Sequence, residues 1–284
     1  MYLFADSGST KTDWLLTTPE GQRLEYHTDG INPARDTRDY IYNVIYHQLL
    51  TQLPPIGAGG TTLRAVYFYG AGCIPPFSQS VQSVITELLP GCRVEVESDL
   101  LGAARALCGS EPGIACIMGT GSNSCLYDGK SIIRHTPPLG FILGDEGSGS
   151  YLGKMLLNGL FKGTLPEELK QDFCDKYQLT LPCIIQRIYQ ESAPNAFLAS
   201  LVPFIVEHRT HQEIHAMVVE AFRLFIERNI AIYGHMEMPI NCVGGIAFQF
   251  ANELNEAAAE EGMILGRILQ RPIEEIVQYH QKEN

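Results

Sequence analysis

Basic residues are scarce: 20 Lys and Arg stand against 32 Asp and Glu, a formal net charge of −12. Nucleic acid and anionic membranes are held by clustered Lys and Arg, so this balance argues against both as partners. No apolar run approaches the roughly 18–20 residues that span a bilayer, and no charged segment leading into an apolar stretch opens the chain. The expectation is a soluble, cytoplasmic protein. The eight cysteines contain no Cys-x-x-Cys pair and no Cys/His ligand spacing, and the eight histidines form no metal pattern. Several cysteines lie in apolar runs such as residues 114–118, and all eight read as buried thiols of a reducing compartment.

A Walker phosphate loop is missing as well. That pattern needs two glycines spanning four residues, then Lys-Ser/Thr and a helix. In Ser7-Gly8-Ser9-Thr10-Lys11 one glycine stands alone, and an apolar run resumes at Trp14-Leu15-Leu16. Residues 1–18 therefore read as strand, tight polar loop, strand. Such a loop exposes successive N–H groups, hydroxyls and one ammonium, a concavity that suits phosphate. It is equally the turn of an ordinary β-hairpin, in which Lys11 is simply solvated.

With 284 residues, 45% hydrophobic and 18% charged, the chain suits two domains or one large one. After a third strand over 22–28, helical spacing runs over 36–53 and stops at Pro54-Pro55, and a Gly-rich connection covers 56–62. Strand, helix, strand, helix follow at 63–70, 80–89, 92–97 and 100–107, which makes an α/β domain. At residue 114 the opening plan begins again: IACIM, GTGSN, SCLY repeats apolar strand, Gly/Ser/Thr loop, strand. Asp128-Gly129 is a hairpin turn into a strand at 131–135. A second Gly-rich loop, GFILGDEGSG at 140–149, leads into a helix over 150–160. Residues 165–209 read as helical, interrupted at Pro182, Pro194 and Pro203, and 211–233 as the longest amphipathic helix. The last strand is expected at 239–243, then a Gly244-Gly245 turn, a helix over 247–260 and another over 273–281.

Each Gly-rich loop follows an expected strand, where open α/β sheets place their ligands. Asp99 closes a strand and opens a helix. Ser98 or Asp99 is a natural N-cap and Asp99 suits a first helical turn, while Asp99 is also a general base for a hydroxyl attacking a γ-phosphoryl group; both roles can coexist. Gly119 and Gly121 around Thr120 form either a β-turn or a backbone that a ligand approaches closely. Asp145 and Glu146 either cap the helix starting near Ser148 or bind a polyol or hydrated Mg²⁺. Asn32 before Pro33 reads as a turn residue.

Taken together and in this order, DSGSTKTDW, GTGSNS and GGIAF resemble the actin-like ATPase superfamily. GINP at 30–33, Asp99, GTGSN at 119–123 and GDEGSG at 144–149 resemble its N-acetylglucosamine kinase branch, among the BadF/BadG/BcrA/BcrD-type ATPases. The resemblance spans residues 6 to about 248. It implies an α/β protein of two actin-like ATPase (ribonuclease H-like) domains flanking a nucleotide cleft. The domains would be 1–110 and 111–284, with a helical insertion at about 163–210 and a last helix at about 273–282 packing back on the first.

The implied activity is ATP-dependent phosphorylation of an amino-sugar hydroxyl, N-acetylglucosamine first. The alternatives are glucosamine, N-acetylmuramic acid, or an ATPase coupled to a protein partner. The implied cofactors are ATP and Mg²⁺. Asp6 would hold Mg²⁺ through water. Ser9, Thr10, Lys11, Thr120 and Gly121 would hold the phosphates, and Gly244 and Gly245 the adenosine. Asn32, Ser122, Asn123, Gly140 and Asp145 would hold the sugar, with Asp99 as base. Leu139-Gly140 stands where many relatives have Trp-Gly beside the sugar. Members of the family are often homodimers, so a second copy of the chain is an admissible partner.

Overall fold

A computed structural model describes residues 1–8, 10–54 and 62–283. Ser9, and the Gly-rich connection except Thr62, lie outside the described residues. The chain divides into two compact units, one made of the residues up to Ser110 with those from Arg271 on, the other of Glu111–Gln270.

In the first unit β1 (Tyr2–Ser7), β2 (Lys11–Thr17) and β3 (Arg23–Asp29) form an antiparallel meander. α1 (Arg38–Asn43) runs on as a π-helical turn (Val44–Leu50). β4 (Ala65–Gly70), α2 (Ser78–Leu88), β5 (Arg93–Ser98) and α3 (Asp99–Cys108) complete the order. The sheet runs β3-β2-β1-β4-β5, with β4 parallel to both β1 and β5. Leu3, Phe4, Ala5, Trp14, Leu15 and Leu16 are all buried, the continuous apolar signature of strands covered on both faces. The single tryptophan, Trp14, satisfies its indole N–H on Thr28 Oγ1 at 3.0 Å. The C-terminal helix (Ile273–Glu283) packs in this unit on β1 and α3. There His280 Nε2 meets Tyr69 Oη at 2.7 Å.

The second unit repeats the plan with β6 (Pro112–Met118), β7 (Ser122–Asp128) and β8 (Ile132–Thr136) as an antiparallel meander. Next come α4 (Gly140–Leu143), α5 (Gly149–Lys162), α6 (Glu167–Tyr177), α7 (Leu181–Tyr189), α8 (Pro194–Ala199), α9 (Val202–Glu207) and α10 (Gln212–Phe225). β9 (Ile240–Val243), α11 (Gly245–Gln249), α12 (Ala251–Glu260) and β10 (Leu265–Leu269) close it. The sheet order is β10-β9-β6-β7-β8. Read outward from the hairpin, three antiparallel strands and then two parallel ones, it is the first unit's order over again. Both units are α/β with mixed five-stranded sheets.

Several expectations are corrected here. β10 was not expected, because Gly266-Arg267 interrupts its apolar residues. α4 lies inside what reads as a loop. The interruptions expected at Pro182, Pro194 and Pro203 are present, and each proline stands at the first or second position of the helix that follows, where the missing N–H costs nothing. The helix read over 211–233 ends as α at Phe225 and continues as a π turn (Ile226–Ile230) and a 3₁₀ turn (Ala231–Tyr233). None of the eight cysteines is in a disulfide, but Cys183 is exposed and Cys92, Cys108 and Cys174 are half-buried. Among the described residues no helix is long and apolar enough to cross a membrane.

Candidate active site

In the first unit the carboxyl ends of β1, β4 and β5 carry the polar residues. The hairpin is closed by Gly8 N–H donating to Lys11 O at 2.9 Å. Ser7 Oγ lies 2.7 Å from Thr12 Oγ1 and accepts from Ile31 N at 3.1 Å, which draws the GINP segment onto the hairpin. Ala71 N donates to Ser7 O at 2.8 Å and brings the loop after β4 alongside. Asn32 Oδ1 accepts from Ala34 N at 3.1 Å. The same oxygen lies against Gly72, where a Cβ would come within 2.1 Å of it.

Asp6 is half-buried, and its carboxyl is pushed up to about 7 by burial and then by the charges of Asp99 and Asp13, with Lys11 opposing. Asp13 faces Asp6 across the hairpin register and is itself buried. Its carboxylate takes Lys11 Nζ at 3.0 Å and His27 Nδ1 at 2.8 Å. Sequence reading passed over Asp13, although antiparallel pairing around Gly8 sets it opposite Asp6.

Of the two residues that could cap α3, Ser98 does so, its Oγ accepting from Leu101 N at 3.2 Å, and Asp99 is the first-turn acid. The Asp99 carboxylate accepts from Leu100 N at 2.8 Å. Burial lifts it to about 6, the backbone N–H contacts restraining the rise.

In the second unit, residues 119–123, 144–149 and 244–245 converge at the carboxyl ends of β6 and β9. Gly119 O and Thr120 O accept from Gly149 N at 2.8 Å and Ser150 N at 3.0 Å, so the loop satisfies the first N–H groups of α5. A trans peptide points its C=O and N–H in opposite directions, so Thr120 N–H and Gly121 N–H face away from α5. Gly244 sits at φ +126°, where a Cβ would meet Met118 O at 2.2 Å. Gly245 begins α11 with open space where its Cβ would be.

Asp145 lies in the left-handed region at φ 58°. It is buried beside Gly121, whose Cβ would touch its Oδ2 at 3.0 Å. Burial raises its carboxyl to about 6, against a hydrogen bond from the Ser122 backbone. Neither Asp145 nor Glu146 caps α5; Ser148 does, accepting from Tyr151 N at 3.1 Å. Ser122 Oγ donates to Glu146 O at 2.7 Å. Asn123 Oδ1 is engaged by Ser124 N at 2.9 Å and by His135 Nε2 at 2.8 Å. Gly140, on α4, packs closely against nothing within 4 Å of its Cβ position. Thr10 and Lys11 are exposed.

Among the described residues no group of three His, Cys, Asp or Glu side chains is arranged to hold a metal ion directly. The charges converging on Asp6 do fit a hydrated divalent cation, since a cation beside them removes the repulsion that lifts the Asp6 carboxyl.

No protein-family model matches the chain, and no curated protein matches it. Solved structures do. The chain is 43% identical, with a TM-score of 0.95 and 99% of each chain covered, to a protein of Porphyromonas gingivalis described as a candidate N-acetylglucosamine kinase. A protein of Chromobacterium violaceum with the same description matches at 18% identity and TM-score 0.76, covering 98% of each chain. The ethanolamine utilization protein EutJ of Carboxydothermus hydrogenoformans matches at 13% identity and TM-score 0.53, covering 96% of this chain and 87% of its own. The last two are likenesses of fold.

Proposed function

Since the chain belongs to the N-acetylglucosamine kinase-like family of actin-like ATPases, a family of ATP-dependent sugar kinases, we propose that it transfers the γ-phosphoryl group of ATP to a hydroxyl of N-acetylglucosamine. The observation that carries this reading is the likeness at 43% identity over 99% of both chains.

In this reading Asp99 takes the proton of the attacking sugar hydroxyl. Its position at the end of β5 and its raised carboxyl suit it to that work near neutral pH. Asn32, Ser122, Asn123, Gly140 and Asp145 hold the sugar. Ser9, Thr10 and Lys11 with Thr120 and Gly121 hold the phosphates, the last two through N–H groups turned away from α5. Gly244 and Gly245 hold the adenosine. Asp6 would hold Mg²⁺ through water, and the ion would neutralise phosphate charge during transfer. The protein's own contribution is then chiefly positioning and the removal of one proton.

The test is ADP release by the purified protein with ATP and Mg²⁺ against a panel of N-acetylglucosamine, glucosamine, N-acetylmuramic acid and no sugar. Strong stimulation by N-acetylglucosamine supports the reading, and stimulation by another amino sugar alone moves the substrate there. Equal hydrolysis in every arm rejects a sugar kinase.

The pH dependence has a defined sign. Asp99 must be ionised to accept a proton, so kcat/KM for the sugar falls as pH drops below about 6, approaching tenfold per pH unit, and levels off above it. A stopped ADP-release assay across pH reads this directly, and a profile that rises toward acid contradicts Asp99 as base.

Gly72→Ala isolates Asn32. The added methyl displaces the Asn32 carboxamide and sits at φ +73°, so a stability loss of about 1–2 kcal/mol and a raised sugar KM are expected, with ATP KM unchanged. Melting and steady-state kinetics on one preparation check both.

A further inference from the structure

Glu146 has no part in the roles assigned above, yet both of its carboxylate oxygens are engaged. It is buried, with Oε1 3.0 Å from Arg228 Nη1 and Oε2 3.4 Å from Asn229 Nδ2. Its carbonyl accepts from Ser122 Oγ at 2.7 Å. Glu146 is thus fixed at both its main chain and its side chain.

The two residues that grip the carboxylate come from the π turn after α10. There Ala231 N–H reaches back five residues to Ile226 O, and the widened turn is braced from outside the helix. Asn229 O accepts from Ser124 Oγ at 3.1 Å on β7 and from Thr136 Oγ1 at 3.0 Å on β8, while Asn229 Nδ2 also donates to Phe225 O at 3.2 Å. The turn is therefore bolted to the same meander that carries Ser122.

Immediately before Glu146, Asp145 holds a left-handed backbone that costs a residue with a Cβ about 1–2 kcal/mol. Its N–H is tied to Pro138 O at 3.1 Å and its carbonyl to Ser148 N at 3.1 Å. Its carboxyl is aimed at the Gly121 backbone. A strained residue persists only where its surroundings over-determine it, and the fixed Glu146 supplies the following peptide.

We propose that Glu146, clamped by Arg228 and Asn229 from the π turn, is a positioning residue that holds Asp145 in its left-handed conformation and so sets the carboxylate that binds the sugar. The consequence for sugar binding rests on the function proposed above; the backbone consequence does not.

The experiment pairs kinetics with backbone NMR on the full chain. Glu146→Ala is expected to raise the sugar KM about tenfold or more while leaving ATP KM within about twofold, and to shift the Asp145 ¹³Cα resonance and amide coupling away from positive φ. Arg228→Ala should do the same more weakly; Arg228 is half exposed, so its loss does not threaten the fold and covers the case in which Glu146→Ala fails to fold. Glu146→Gln keeps an acceptor for Arg228 and should restore sugar KM to within about threefold. In an Asp145→Asn background Glu146→Ala should add nothing further, because it acts through Asp145. An unchanged Asp145 resonance in both Glu146→Ala and Arg228→Ala, or an equal loss in the Asp145→Asn background, overturns the proposal. If no amino sugar stimulates the wild-type protein, the functional reading fails, and the NMR arm still decides the clamp.

Discussion

Asp99→Asn is expected to lower sugar-dependent phosphoryl transfer by about 10²–10⁴-fold and, in the same protein, to raise the melting temperature of the unliganded form at about pH 8. The first effect follows from the role proposed for Asp99, removal of the sugar hydroxyl's proton. The second follows from linkage. In the folded chain the Asp99 carboxyl titrates at about 6, against an ordinary value of 3.8. Between those values the native state binds more protons than the unfolded chain, so stability falls as pH rises through the window and stays lower above it. Asparagine never carries the charge and still accepts the Leu100 N–H. A gain on the order of 1–3 kcal/mol at about pH 8, vanishing at about pH 4, is the predicted signature. Differential scanning calorimetry at the two pH values reads it beside the activity assay. A variant that loses activity together with stability at both pH values would mean that Asp99 is a structural residue.

Gly244→Ala is expected to destabilise the protein by about 3 kcal/mol or more and to abolish ATP binding. Its φ of +126° belongs to a region that residues with a Cβ scarcely enter, and the new methyl would lie 2.2 Å from Met118 O and 2.7 Å from Met118 C. These are main-chain atoms at the end of β6, locked by pairing of Cys116 with Cys242 and Ile117 with Val243, so the clash is not relieved by a rotamer. Gly245→Ala is the matched control. Its Cβ points into open space, and the fold should be indifferent. A raised ATP KM in a Gly245→Ala protein of normal stability supports adenosine binding there, whereas normal KM in both variants removes the adenosine role. Equilibrium denaturation with nucleotide titration separates the outcomes.

The first hairpin was legible because apolar runs flank a short polar loop, and the second because it repeats that plan. The repeat held more than was taken from it. Carried through, it would have demanded a fifth strand in the second unit, where β10 stands in the place of β5. Sequence pattern alone misses β10, an edge strand whose pairing to β9 is irregular between Leu265 and Ile268, so its apolar alternation is broken. The π turn at 226–230 was hidden for a different reason: apolar spacing continues through it, and the contacts that brace it, Ser124 and Thr136 on Asn229 O, are long-range. Capping was one of two readings of Asp145 and Glu146, and Ser148 holds that position, with one carboxylate beside Gly121 and the other clamped. Asp13 lies within DSGSTKTDW, but only the strand register sets it opposite Asp6.

The central claim is transfer of phosphate to an amino sugar, and the fate of the γ-phosphoryl group tests it most directly. Wild-type protein is incubated with γ-labelled ATP, Mg²⁺ and N-acetylglucosamine, with Asp99→Asn in parallel, and the label is separated into inorganic phosphate and sugar phosphate. The account predicts label on the sugar in step with ADP formed, and almost none with Asp99→Asn. Label appearing only as inorganic phosphate, at the same rate with and without sugar, contradicts it.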